Sequence, residues 1–197
     1  PVNNIDVNGD SIWYTRNGDI VTMHVTAKIF NNSSDNINMA RAAKDIVSDI
    51  KSTYEGKFEW SDNKTYNLKV DMDLKVATSM KDVENSDHLF VLADSDSKGA
   101  RGATSMLGGK VMTLASSDFA NNNWLSNNLS YNKTFTATHE FGHAIGLSHS
   151  QNPFNIMKQG GVVHNSNSNQ RVIMLQQQNN LNNNLVVDIY NLGLKWR

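Results

Sequence analysis

The sequence contains no cysteine. That excludes disulfide staples and thiolate metal ligands. The redox compartment stays open, because no thiol marks it. Charge of one sign is missing too: 18 basic residues face 19 acidic ones, for a net charge of −1. With no basic run either, the electrostatic footprint expected for nucleic-acid partners or an anionic membrane surface is absent. Nor does the chain contain the stretch of about 18 apolar residues that a transmembrane helix requires. It opens at Pro1 without a charged n-region or an apolar h-region, so we expect a chain excised from a precursor, with a signal peptide or larger carrier polypeptide cut away.

What is present bounds the rest. At 197 residues the economical reading is one domain over 1–197, long enough to bury about 70% of the surface exposed by the unfolded chain. The informative stretch is Thr138-His139-Glu140-Phe141-Gly142-His143-Ala144-Ile145-Gly146-Leu147-Ser148-His149. His139 and His143 are four apart, so on a helix of about 3.6 residues per turn their imidazoles share one face. Glu140 stands beside the first of them, placed to reach a water on a metal without coordinating the metal itself. Gly146 ends the helix, since glycine takes a positive φ without steric cost, and the turn brings His149 back towards the other two. Three imidazoles with one position left open describe a catalytic zinc site, because structural zinc sites are closed by four protein ligands.

The extended pattern H-E-x-x-H-x-x-G-x-x-H resembles that of the metzincin zinc endopeptidases. The branch it is most similar to is the matrixins: Ser150 directly follows the third histidine, and Met157 lies eight residues beyond His149, as the methionine of the matrixin Met-turn does. Met157 is followed by Lys158 and Gln159, so the tyrosine that some metzincins place after this methionine is missing. The absence of cysteine also removes the cysteine latency switch of many matrixin propeptides.

The resemblance implies an α+β fold: a twisted, mostly parallel sheet with an antiparallel edge strand, an active-site helix, and a small C-terminal subdomain carrying the Met-turn. The upper subdomain would run over about 1–146 and the lower over about 147–197. It further implies His139, His143 and His149 as zinc ligands, Glu140 as general base, and Met157 as an apolar floor beneath the imidazoles. The edge strand along the cleft would be Gly102, Ala103, Thr104, Ser105, Met106 and Leu107, offering unpaired backbone groups to which a substrate peptide adds as an extra strand.

Along the chain, Ile12–Thr15 and Ile20–Phe30 flank Asn17-Gly18, a signal for a type I′ hairpin. Val21, Met23, Val25 and Ala27 alternate with polar residues, which leaves His24 on the polar face as a bystander. Ser34 or Asp35 can cap a helix with apolar positions Ile37, Ala40, Ala43, Ile46, Val47, Ile50 and Tyr54, stopped by Gly56. Leu68, Val70, Met72, Leu74 and Val76 alternate along a half-buried strand over 66–76. Leu89–Leu92 reads as a central strand covered on both faces, begun by His88 as a strand-end histidine. Asp94 and Asp96 in the following polar loop can meet a calcium ion. Lys110–Leu114 is a further strand, 116–132 a polar loop holding Trp124 and Leu125, and 133–147 the active-site helix. A closing helix is expected from Ser168 or Asn169 through Val172, Ile173 and Leu175, then a strand over 185–190 and a tail with Leu194 and Trp196.

The function expected is a zinc endopeptidase acting on protein or peptide substrates, secreted or delivered outside a bacterial cell, with a propeptide, carrier or cognate inhibitor encoded outside this sequence. Two alternatives differ in testable ways. An excised effector or toxin domain would cut one specific target; a zinc-stabilised binding module would cut nothing and would fill the open corner with a fourth protein ligand.

Overall fold

One long strand organises the sheet. The computed structural model describes residues 12–60, 62–94, 102–120, 134–160, 170 and 171. Strand β1 (Ile12–Asn17) leads through a two-residue turn into the twelve-residue β2 (Ile20–Asn31). Asn17 faces Ile20, so the turn residues are Gly18 and Asp19 rather than Asn17 and Gly18. Only Gly18 has a positive φ, of 64°. The turn thus follows the II′ pattern, not the expected I′, because glycine occupies the one position that needs the left-handed region and Asp19 avoids its steric cost.

Along β2, Val21, Met23, Val25 and Ala27 are buried in alternation with Thr22, His24, Thr26 and Lys28, as the pattern predicts. Strand β4 (Thr65–Ala77) runs parallel to β2 along nearly its whole length. The other flank is shared: β1 pairs antiparallel with residues 20–25, and β5 (His88–Ala93) pairs parallel with residues 27–31. Beyond β5 come β7 (Val111–Ala115), parallel to it, and then β6 (Gly102–Thr104), antiparallel and at the sheet edge. The result is the α+β sheet expected, with a parallel centre β4-β2-β5-β7 and an antiparallel edge. β5 is central, as its all-apolar run implied: Phe90 and Leu92 enter one core cluster, Leu89 and Val91 the other.

Helix α1 (Met39–Tyr54) packs on β4 and β2 through Ile46, Ile50 and Tyr54. It begins later than expected. Asn38 is the cap, its Oδ1 accepting the Arg41 N–H at 3.0 Å. Ser34 and Asp35 are drawn elsewhere: the Ser34 N–H donates to Asp94 Oδ1, and Ser116 Oγ donates to Asp35 Oδ2 at 2.6 Å. Ala40 is consequently exposed, and Ala42 takes the core position. Gly56, expected only as a stop, has φ 145° and starts an additional edge strand, β3 (Gly56–Glu59), antiparallel to β4. Its Phe58 packs against Trp60 and Tyr66.

Three expectations need correction near the site. The edge strand ends at Thr104, so Ser105, Met106 and Leu107 form a turn instead of strand. Gly108, with φ 77°, and Gly109, where a Cβ would collide with Ser105 Oγ and the Met106 backbone, permit that turn. The expected polar loop begins with a short helix, α2 (Ser117–Ala120), and Trp124 and Leu125 lie outside the described residues. The active-site helix α3 spans Phe135–Ala144 rather than 133–147. It lies beside α1 on the same face of the sheet. Of the expected closing helix, Gln170 and Arg171 are described and helical; the strand over 185–190 and the tail lie outside the described residues. No helix among the described residues is long and apolar enough to cross a membrane.

Candidate active site

Helix α3 carries His139 and His143 on one face, and its end is shaped by Gly146. Gly146 has φ 90°, its N–H donates to His143 O at 3.0 Å, and the Leu147 N–H donates to Gly142 O at 2.8 Å. This pair of bonds is a Schellman motif, which satisfies the last carbonyls of a helix and reverses the chain. The reversal returns His149, whose Nε2 lies 3.1 Å from His143 Nε2. One ligand atom from each of the three histidines falls within 4.8 Å of the others.

The ring orientations are fixed from behind. His139 Nδ1 is 2.7 Å from Ile156 O, and His143 Nδ1 is 2.7 Å from Leu147 O. A carbonyl only accepts, so each Nδ1 carries the proton and each Nε2 keeps its lone pair for the shared centre. Burial lowers the pKa of both rings, with His143 pushed down to about 4 by burial and then by its imidazole neighbours. The neutral form, which is the form that binds metal, is therefore favoured.

Glu140 points from the same helix towards strand β6. It is 7% exposed, and burial pushes its carboxyl up to about 7, partly offset by hydrogen bonds from Thr104. Thr104 Oγ1 lies 2.8 Å from Glu140 Oε2 and 2.9 Å from Glu140 O. Met157 is fully buried against the middle of α3. A Cβ on Gly142 would run into Met157 Sδ, so the approach of this methionine to α3 requires the glycine of H-E-F-G-H. Tyr54 Oη donates to Thr138 O at 2.9 Å from below, tying α1 to α3.

The loop between His149 and Met157 is closed on itself. The Ser150 N–H donates to Met157 O, and Asn155 Oδ1 accepts the Met157 N–H, each at 2.8 Å. Asn155 and Gln170 exchange side-chain amide bonds of 2.7 and 2.9 Å. Next to Gln170, Arg171 donates to the carbonyls of Tyr54, Glu55 and Lys57, gripping the C-terminal end of α1. These cationic donors sit where the helix dipole is negative.

The structure thus brings together His139, His143, His149, Glu140, Met157 and, from the edge strand, Gly102 and Thr104. It does not bring Asp94 into a metal site: Asp94 Oδ1 accepts from Ser34, Asp96 lies outside the described residues, and no second group of three metal-type ligands occurs among the described residues. Calcium therefore finds no support. His24 stacks on Trp13 and bonds Thr15 and Asp71, away from the site. His88 is buried in the sheet as a strand-opening residue. Sequence reasoning missed Tyr54, Gly142, Asn155, Gln170 and Arg171, and took Thr104 only as backbone. Of these only Gly142 carried a local signal, as a glycine in mid-helix.

The family model for matrixin matches residues 14–179. No curated protein matches the sequence. Among solved structures, metalloproteinase-II from Bacteroides fragilis aligns at 14% identity and a TM-score of 0.44, over 77% of this chain and 52% of that one. This chain thus spans about half the length of that protein. Archaemetzincin from Methanopyrus kandleri aligns at 15% identity and a TM-score of 0.39, over 86% of this chain and 97% of that one. With the match running through most of the chain and across the three convergent histidines, the chain belongs to the matrixin family of zinc metallopeptidases.

Proposed function

We propose that this chain is an endopeptidase that cuts extended segments of protein substrates, with zinc held by His139, His143 and His149 and Glu140 as the general base. The donor set fits zinc. Three imidazoles with one position open are the ligands of catalytic sites, and one ring nitrogen from each lies within 4.8 Å of the others, those of His143 and His149 at 3.1 Å. When bound, zinc supplies Lewis acidity: it polarises a carbonyl and makes a water more acidic.

The protein residues do the proton work. Glu140 accepts the proton of the attacking water and delivers it to the leaving amide nitrogen, a role worth typically about 10²–10⁴-fold. Its raised proton affinity suits both halves of that transfer, since a group titrating near neutrality can take a proton and give it back. Met157 packs under the imidazoles without ligating, as the Met-turn. The side of β6 that pairs with no strand among the described residues gives a substrate backbone a strand to pair with, which favours extended segments over folded ones. On this reading residues 1–197 form one catalytic domain, with an upper part to Gly146 and a lower part from Leu147. Membership of the matrixin family supports action outside the producing cell.

The observation that carries the proposal is the pair of Nδ1–H···O=C bonds that aims two Nε2 lone pairs at the point His149 also reaches. Glu140→Gln is the test. It should retain zinc while losing at least about 10²-fold in peptide cleavage. Cleavage that persists in this variant would remove Glu140 from the mechanism.

A further inference from the structure

The strand proposed to receive substrate also holds the proposed base. On β6, Gly102 and Thr104 are two residues apart and lie on the same side of the strand, with Ala103 turned to solvent. That shared side faces α3. A Cβ on Gly102 would stand 3.0 Å from Glu140 Cγ and 3.1 Å from Oε1, and would collide with the Thr136 methyl. Gly102 is therefore bare because the Thr136 methyl and, less closely, the Glu140 side chain press on the strand at that point. Two residues on, the Thr104 hydroxyl lies 2.8 Å from Glu140 Oε2. The Thr104 backbone contributes a second hydrogen bond to the same carboxyl.

We infer that Thr104 is a positioning residue for Glu140: its hydroxyl fixes Oε2 and sets the carboxylate rotamer. The inference rests on the reading of Glu140 as the base. A hydroxyl has one proton, so it cannot serve Oε2 and Glu140 O equally. The bond to a carboxylate is charge-assisted and the stronger of the two. The second acceptor, at 2.9 Å, keeps the hydroxyl over the helix. Glu140 has three rotatable side-chain bonds, and misplacing a catalytic group by about 1 Å can cost about 10²-fold in rate. A strand that docks substrate on one flank and clamps the base on its helix-facing side gives both partners one rigid reference.

The test compares Thr104→Val, which keeps the branched shape without the hydroxyl, with Thr104→Ser, which keeps the hydroxyl, both in the zinc-loaded full chain. Thr104→Val should lower kcat about tenfold or more with KM and zinc content within about twofold of the parent. Thr104→Ser should recover to within about threefold. Crystal structures of both variants give a readout independent of turnover: one Glu140 carboxylate position with serine, a displaced or split one with valine. A valine variant with kcat within about twofold, a serine variant as impaired as valine, a loss confined to KM or zinc content, or an unmoved carboxylate would each overturn the inference. Glu140→Gln separates the two failures. If that variant is inactive while valine at 104 is harmless, positioning alone is wrong; if it stays active, the base assignment has failed.

Discussion

Gly142 and Met157 are packed so closely that one methyl group on the glycine would overlap the methionine sulfur. Two effects oppose each other in Gly142→Ala. Alanine is favoured over glycine within a helix by about 1 kcal/mol. Against that, overpacking a filled core costs roughly 1–3 kcal/mol, and the second obstacle, Tyr54 Oη, is held in place by Thr138 O. Overpacking wins, so we expect a net loss of about 1 kcal/mol in urea unfolding and weaker zinc binding, because Met157 and the helix that carries His139 and His143 must shift apart. A variant at least as stable as the parent with unchanged zinc affinity would show that the contact between the helix and Met157 is slack.

Acid stability should report on His88. This residue is buried in β5, and burial, with a smaller contribution from the Lys110 charge, pushes its pKa from 6.5 down to about 3. The unfolded chain therefore binds a proton below pH 6.5 that the folded chain refuses until about pH 3. Stability is intact above the unfolded value and falls as pH drops through the window between the two, by about 1 kcal/mol per pH unit near pH 5.5. His88→Gln removes the titrating group. Urea unfolding of both proteins at pH 7.5 and 5.5 should show a shallower pH slope for the variant; equal slopes would mean that His88 does not refuse the proton.

Metal removal should be visible in stability apart from catalysis. A ligand present at a thousand times its dissociation constant stabilises a fold by about 4 kcal/mol. For a chain of this size each kcal/mol moves Tm by about 2–4 °C, so chelation should lower Tm by roughly 10 °C. Zinc should restore it and calcium should not. Restoration by calcium alone would return Asp94 and its loop to consideration, and an unchanged Tm on chelation would argue against a resident metal.

The candidate site was legible because its spacing is local. His139, Glu140, His143 and Gly146 share one helix and its end, so the period of 3.6 and the freedom of glycine at positive φ suffice to read them. β2, β4 and β5 were legible for a similar reason, since alternation or an unbroken apolar run reports directly on burial. Contacts distant in sequence were not. Ser34, Asp35 and Asn38 are all acceptable helix caps, and the bonds of Ser116 to Asp35 and of Ser34 to Asp94 decided among them. Thr104 meets Glu140 across 36 positions, and Arg171 meets the end of α1 across more than a hundred. No periodicity encodes such pairings. The three-residue β6 was overextended because Met106 and Leu107 look like strand residues, yet both are more than 40% exposed on a glycine turn.

X-ray absorption at the zinc edge, on the full chain loaded with one equivalent of zinc, tests the central claim most directly. The account predicts three imidazole nitrogens at about 2.0–2.1 Å and one further light-atom donor that the protein does not supply, the last exchanging when an active-site-directed zinc chelator is added. Two imidazoles only, or a fourth protein ligand that no added chelator displaces, would contradict it.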